Sequence, residues 1–170
     1  MQWKILIIIL SMLGLACQNA VLAQKYSRIH GLAYSAGEGH GGTYSIERVL
    51  DDGIDKIGDF GFGGIINLRT QNIEEGNRTE IIFAARVIYL PYIIENDRID
   101  TYAFFALGLG FEDVNNDPGY VGPRVEEQIE YTAWGAGAGI RYNIFDRFGI
   151  FAEGSYGIGA ITLGLFLRTY

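Results

Sequence analysis

The 170-residue chain has a single cysteine, Cys17, and it lies among the first 23 residues, so the remainder carries no disulfide framework. Prolines number only three, while 49 % of the residues are hydrophobic. Disorder needs low hydrophobicity, so this balance speaks against an unfolded polar chain. Basic residues are also short: 13 Lys and Arg stand against 20 Asp and Glu, for a net charge of −7. That argues against nucleic acid as a partner, because binding phosphates needs a basic patch. Beyond residue 23 no stretch approaches the ~20 apolar residues of a membrane-spanning helix.

Glycine is what the chain has in excess, 24 residues, together with aromatics at 14 %. Glycine costs ~1 kcal/mol at each helix-interior position, which disfavours a helical bundle. The same combination suits strands that bend, pack closely and turn often.

Residues 1–23 read as a secretory signal peptide. Lys4 supplies the positive start, residues 5–15 the apolar stretch, and Val21-Leu22-Ala23 a cleavage site before Gln24. A rival reading takes Leu13-Gly14-Leu15-Ala16-Cys17 as a lipoprotein signal with Cys17 acylated, although Gly14 stands where that signal prefers leucine. Losing Lys4 moves the net charge of residues 24–170, the expected mature domain, to −8.

After Gln24 the pattern alternates with period two. Residues 130–144 show it best: Thr132, Trp134, Ala136, Ala138, Ile140 and Tyr142 share one face, and Gly135, Gly137, Gly139, Arg141 and Asn143 the other. A strand crossing a bilayer brackets its apolar face with aromatics, because amphipathic rings favour both interfaces. Trp134 and Tyr142, Tyr89, Phe105, Phe148 and Tyr156 are the expected interface aromatics. Similar alternation marks 56–69, 79–91, 100–112, 148–156 and 161–170. Residues 26–36 and 43–50 alternate less cleanly and are assigned as strands mainly because an open edge in lipid would leave backbone groups unpaired. Short turns at 51–55, 94–98 and 144–147 would lie at the periplasmic end, and longer segments at 37–42, 71–77 and 113–127 at the external end. The expected fold is therefore all-β: one eight-stranded antiparallel up-and-down transmembrane β-barrel.

Eight strands leave room for side chains and little else. The inward face would carry Asp59, Arg69, Glu80, Arg86, Glu112, Arg141, Glu153 and Arg168. Buried charges need partners, so these are expected to form a structural polar network, for instance Arg141 with Glu153. A polar conduction path is the alternative use.

The blocks FGFGGIINLR (60–69), YAFFALGLGFE (102–112), YTAWGAGAGIRYNIFDRFGIFAEGSYG (131–157) and TLGLFLRTY (162–170) resemble the small outer-membrane β-barrel, porin-like families of Bacteroidetes type. The similarity covers about residues 25–170. It implies outer-membrane lipid as surroundings and recognition of the C-terminal strand, ending in Tyr170, by the barrel-assembly machinery. Residues 113–127 would be the surface for an extracellular partner.

Candidate chemistry is thin. His30, with Ser27 and Ser35 near it in sequence, would have to form a triad in mutual contact to act as a lipid-modifying enzyme; His40 reads as a loop residue. Asp113, Asn115 and Asp117 start like a calcium loop, but Pro118 replaces its turn glycine and Arg124 its bidentate acid. No catalytic residue, metal or cofactor is expected. The expected role is non-enzymatic, structural or surface-interacting, with a filled lumen; a small channel component and a lipid-modifying enzyme are the alternatives.

Overall fold

A computed structural model of the chain describes residues 26–37, 39–54, 58–73, 76–94, 96–116, 129–159 and 161–170. The N-terminal 23 residues, Cys17 among them, and most of 113–127 lie outside these. Eight strands follow one another: β1 (Tyr26–Ala36), β2 (His40–Ile54), β3 (Gly58–Ile73), β4 (Gly76–Pro91), β5 (Ile99–Asn116), β6 (Ile129–Phe145), β7 (Phe148–Tyr156) and β8 (Ile161–Thr169). Each pairs antiparallel with the next, and β8 pairs with β1 to close the barrel.

The register fixes the barrel's shape. Following paired residues around the wall leads from Tyr26 to Leu50, Phe60, Tyr89, Ala103, Ala138, Gly154, Ile161 and back to Ala36. One circuit thus returns to β1 ten residues further on. With a rise of ~3.3 Å per residue and strands ~4.8 Å apart, that stagger tilts the strands by about 40°. The chain ends lie at one end of the barrel with the connections after β2, β4 and β6; the connections after β1, β3, β5 and β7 lie at the other.

Strands β1 and β7 have the limits read from the sequence, but others run past them. β2 starts at His40 and ends at Ile54, β3 reaches Ile73, β4 starts at Gly76 and β5 reaches Asn116. Of the segments read as loops, 40–42 belong to β2, 71–73 and 76–77 pair between β3 and β4, and 51–54 belong to β2 with Ile54 opposite Gly58 beyond a register shift. The polar residues that suggested loops continue the backbone ladder past the apolar wall. Asp113 and Asn115, read as the start of an acidic loop, lie on β5 opposite Thr79 and Asn77.

Alternation sorts the side chains in an unusual sense. Leu32 is 67 % exposed and Val87 58 %, while Arg86 is 1 % exposed and Glu47 2 %. Apolar residues form the outer wall, and charged ones are buried inside. The interior also holds large apolar groups: Ile29, Ile88, Phe104, Phe151 and Phe166 pack together toward the chain ends, and Ile65, Ile82, Ala106 and Ile158 toward the opposite end.

Inward glycines make room for inward rings. A Cβ on Gly139 would lie 2.5 Å from the Tyr102 ring and 2.9 Å from the carbonyl oxygen of Ala152. Gly137 sits under Phe104, and Gly149 under Phe166, in the same way. The glycine and aromatic excess of the sequence is thus one feature: a ring on one strand fills the space a neighbouring strand leaves vacant. Gly154, on the outer wall, has nothing within 4 Å of such a Cβ. Gly139→Ala is expected to destabilise the barrel by ~1–3 kcal/mol through overpacking. Gly154→Ala should leave the urea midpoint of the detergent-folded protein almost unchanged.

Candidate functional site

The inward polar residues gather into a network at mid-barrel and smaller groups toward the two ends. In the middle, β2, β4, β5, β6 and β7 each contribute. The Arg86 guanidinium lies 3.2 Å from Glu47 through Nη1 and donates to Glu153 Oε1 at 2.6 Å through Nη2. Tyr102 Oη donates to the same Glu153 oxygen at 2.6 Å. Arg141 Nη2 donates to Glu47 Oε2. The guanidinium of Arg86 stands 3.9 Å from the Phe104 ring centre, and that of Arg141 4.1 Å from the Tyr102 ring centre, so rings as well as carboxylates receive the cations. Two carboxylates and two guanidiniums compensate one another. That meets the requirement that buried charge be paired.

Toward the end opposite the chain termini, Arg69 pairs with Glu80 and Arg78 with Glu112. A second polar knot links Ser35 to Thr43 and Thr162, and Asn67 donates to Thr43 at 2.7 Å. At the end that holds the chain termini, Arg168 donates to Asp100 at 2.6 Å, reaching from β8 to β5 across the barrel. Asp59 accepts from Tyr92 Oη at 2.7 Å and is half-buried at that rim. Cavities of about 600 Å³ and 530 Å³ lie toward the two ends. Arg69, Arg78, Glu80 and Glu112 line the first, and Asp59, Tyr92 and Asp100 the second. The central network contributes to neither. With Arg86 and Glu47 side chains each 1 % exposed, it fills the space between them.

Several sequence expectations change in detail. Arg141 pairs with Glu47, not Glu153, which is held by Arg86 and Tyr102. Asp59 stands apart from the charged network. Glu47, Arg78, Asp100 and Tyr102 were not singled out from the sequence. Glu47 was findable, since Thr43, Ser45 and Glu47 share one parity while Tyr44 and Ile46 share the other. Tyr102 was hidden by the expectation that rings face outward.

The outer wall carries the remaining aromatics. At a tilt of about 40°, each residue climbs the axis by ~2.5 Å and each step to the next strand by ~3 Å. On that scale Phe60, Tyr89, Tyr142 and Phe148 stand roughly 4–9 Å above the level of Tyr26, and Trp134, Tyr156 and Phe83 roughly 25 Å above it. Ring contacts tie each row, Phe60 with Tyr89 at 5.1 Å and Trp134 with Tyr156 at 5.6 Å. Phe105, expected in a row, faces outward about midway between them, because it lies six residues into β5. His30 is on the outer wall, in contact with Tyr44 Oη at 3.1 Å, whereas Ser27 and Ser35 point inward. Odd and even positions of one strand cannot meet, so the supposed triad does not assemble. His40 is exposed at the start of β2 and is not a loop residue.

No protein-family model and no curated protein sequence matches the chain. Solved structures do. The fold is similar to the N-terminal β-barrel domain of OprF from Pseudomonas aeruginosa, with a TM-score of 0.52 and 12 % identity over 86 % of this chain and 98 % of that one. It is similar to Ail, the attachment invasion locus protein of Yersinia pestis, with a TM-score of 0.52 and 18 % identity over 86 % and 99 % of the two chains. The backbone of the outer membrane protein Ail in a phospholipid bilayer nanodisc gives 0.50 and 18 %, over the same shares of the two chains. The protein has, by fold, the closed eight-stranded antiparallel β-barrel of this kind.

Removing one charge from the network leaves its partner buried and uncompensated, which costs ~3–5 kcal/mol. Glu47→Leu should lose about that much stability in urea unfolding. Adding Arg141→Leu should restore most of it, because the surplus cation leaves with its partner.

Proposed function

We propose that the protein is an integral outer-membrane β-barrel, exported by residues 1–23, with a sealed interior and a structural or surface-interaction role. The observation that carries this is the inverted burial: a continuous apolar wall outside, charge inside, and aromatic rows separated by roughly 20 Å, close to the ~25 Å apolar band of such barrels. Water offers such a wall no stability; lipid does. In this reading the chain termini face the periplasm, Tyr170 ends the strand offered to the assembly machinery, and 113–127 faces outward as the contact surface for a partner. The finer resemblance to porin-like barrels of Bacteroidetes type rests on the sequence blocks alone.

A non-enzymatic role is supported by His30 lying on the opposite face of the wall from Ser27 and Ser35. The filled middle of the barrel favours a sealed body over a channel. Two measurements test the reading. Fractionation should find the protein in the outer membrane, migrating differently on gels before and after boiling. A water-soluble, heat-insensitive species would overturn the membrane assignment. In planar bilayers the wild type should give no steady conductance steps. Reproducible ion-selective steps would replace the sealed body with a channel.

A further inference from the structure

The barrel mouth opposite the chain termini is uneven. Pairing of β7 with β6 stops at Tyr156 opposite Ala136, whereas β6 begins at Ile129 and stays paired with β5 up to Glu112. β6 therefore stands higher than β7 at that rim. The connection after β7 turns inward instead of rising. Gly157 and Gly159, with φ of +95° and +145°, hold a backbone that other residues rarely adopt. Between them Ile158 is 4 % exposed and packs with Ile82 and Ala133. A Cβ on Gly135 would stand 2.9 Å from Ile158 Cγ1, so the missing side chain on β6 makes room for the turn. Ile82 and Ala133 belong to the lining of the 600 Å³ cavity at this end and give it an apolar floor.

The cavity has two kinds of wall. On the side of β3 to β5, Arg69 is the register partner of Glu80, and Glu80 of Glu112. Arg78 completes the row by pairing with Glu112. On the side of β6 and β7, Tyr131 is half-buried. Trp134 and Tyr156, with ring centres 5.6 Å apart, line the lateral mouth where β7 ends. Small-molecule sites have volumes of roughly 300–1,000 Å³, and this cavity lies in that range. Among the described residues, the two cations and two anions of its lining are matched. An entering ion would have to displace one partner of a pair. A neutral ligand need not, because a carboxylate has about four lone-pair sites and a guanidinium five N–H donors, more than one pairing uses. Donors beside acceptors suit hydroxyl groups, which do both. Aromatic faces suit the C–H faces of a sugar ring. An acyl chain would desolvate the same charged groups and return no hydrogen bond.

We propose that this cavity binds a neutral hexose-type saccharide. Glu80 and Glu112 accept from its hydroxyls, Arg78 donates to them, and Arg69 holds Glu80 in place. Tyr131, Trp134 and Tyr156 cover the ring's apolar face. The site gives the surface-interaction role proposed above a class of partner, and it rests on that reading for the outward direction of the mouth. The saccharide is free in the medium or is the headgroup of a glycolipid, since Trp134 and Tyr156 also belong to the aromatic row at that interface.

Trp134 is the only tryptophan beyond residue 23, so its fluorescence reports on this cavity. The protein purified from membranes, in a detergent without sugar, is titrated with neutral disaccharides of glucose, galactose, mannose and N-acetylglucosamine. At least one should change the emission saturably with a Kd of about 1 mM or tighter. The matching uronic acid and amino sugar should bind about tenfold more weakly, and Glu80→Gln or Glu112→Gln should weaken the neutral sugar about tenfold, the usual worth of a hydrogen bond to a charged group. An octyl glycoside binding more tightly than the methyl glycoside identifies a glycolipid as the source; equal binding identifies a free saccharide. No saturable change with any neutral sugar overturns the proposal, whether or not the variants fold. So does a charged sugar that binds as well as the neutral one, or octanol acting as the octyl glycoside does. A heat-modifiable outer-membrane protein that ignores the sugars sinks the site and leaves the barrel reading standing. A water-soluble protein that binds them sinks the membrane reading and leaves the site.

Discussion

Closure of the sheet is the constraint on which the rest depends. The ladder between β1 and β8, from Arg28 opposite Thr169 to Ala36 opposite Ile161, removes the last two strand edges. An unpaired backbone group in an apolar setting costs several kcal/mol, so a sheet with an apolar outer wall gains by closing. Closing eight strands with a stagger of ten leaves a narrow interior. That decides how crowded the lumen is and which residues meet across it.

Crowding accounts for the composition of the interior. Rings such as Tyr102, Phe104 and Phe166 fit because glycines stand opposite them. Charges such as Arg86 and Glu47 are tolerated because each finds a partner within the same cross-section. A wider barrel could hydrate those charges. Here the network and the rings together replace water, and the two cavities stay on either side of them. Breaking a buried pair harms such a network more than the pair's net worth suggests, because the survivor is left charged in a low-dielectric interior.

The wall obeys the opposite rule, and among the described residues its departure on β1 and β2 is informative for that reason. Over most of the circumference apolar side chains and interface rings meet the surroundings without specificity. The polar patch of Arg28, Arg48 and His30 breaks the rotational uniformity of the barrel on β1 and β2. These are the strands whose alternation was hardest to read, and charge at outward positions is why. An apolar-out template scores Arg28, His30 and Arg48 as mismatches, although their parity is regular.

Strand number, strand order and the facing of most side chains of β3 to β8 were legible in the sequence, because period two is a local property and each residue's parity follows from its neighbours. Trp134 outward and Arg141 inward needed only residues 130–144. Lengths were less legible: polar ends of β2, β3 and β4 look like loop until the partner strand is known. Which inward charges meet was not legible at all. Glu47 and Arg141 are 94 residues apart, and Arg86 and Glu153 are 67 apart. Only the stagger of the closed barrel brings them to one level, since a ring of eight strands can close with different shears and each shear would pair different residues. The sequence by itself determined the alternating faces, and the tertiary closure decided the partners across the lumen and the position of Phe105 between the aromatic rows.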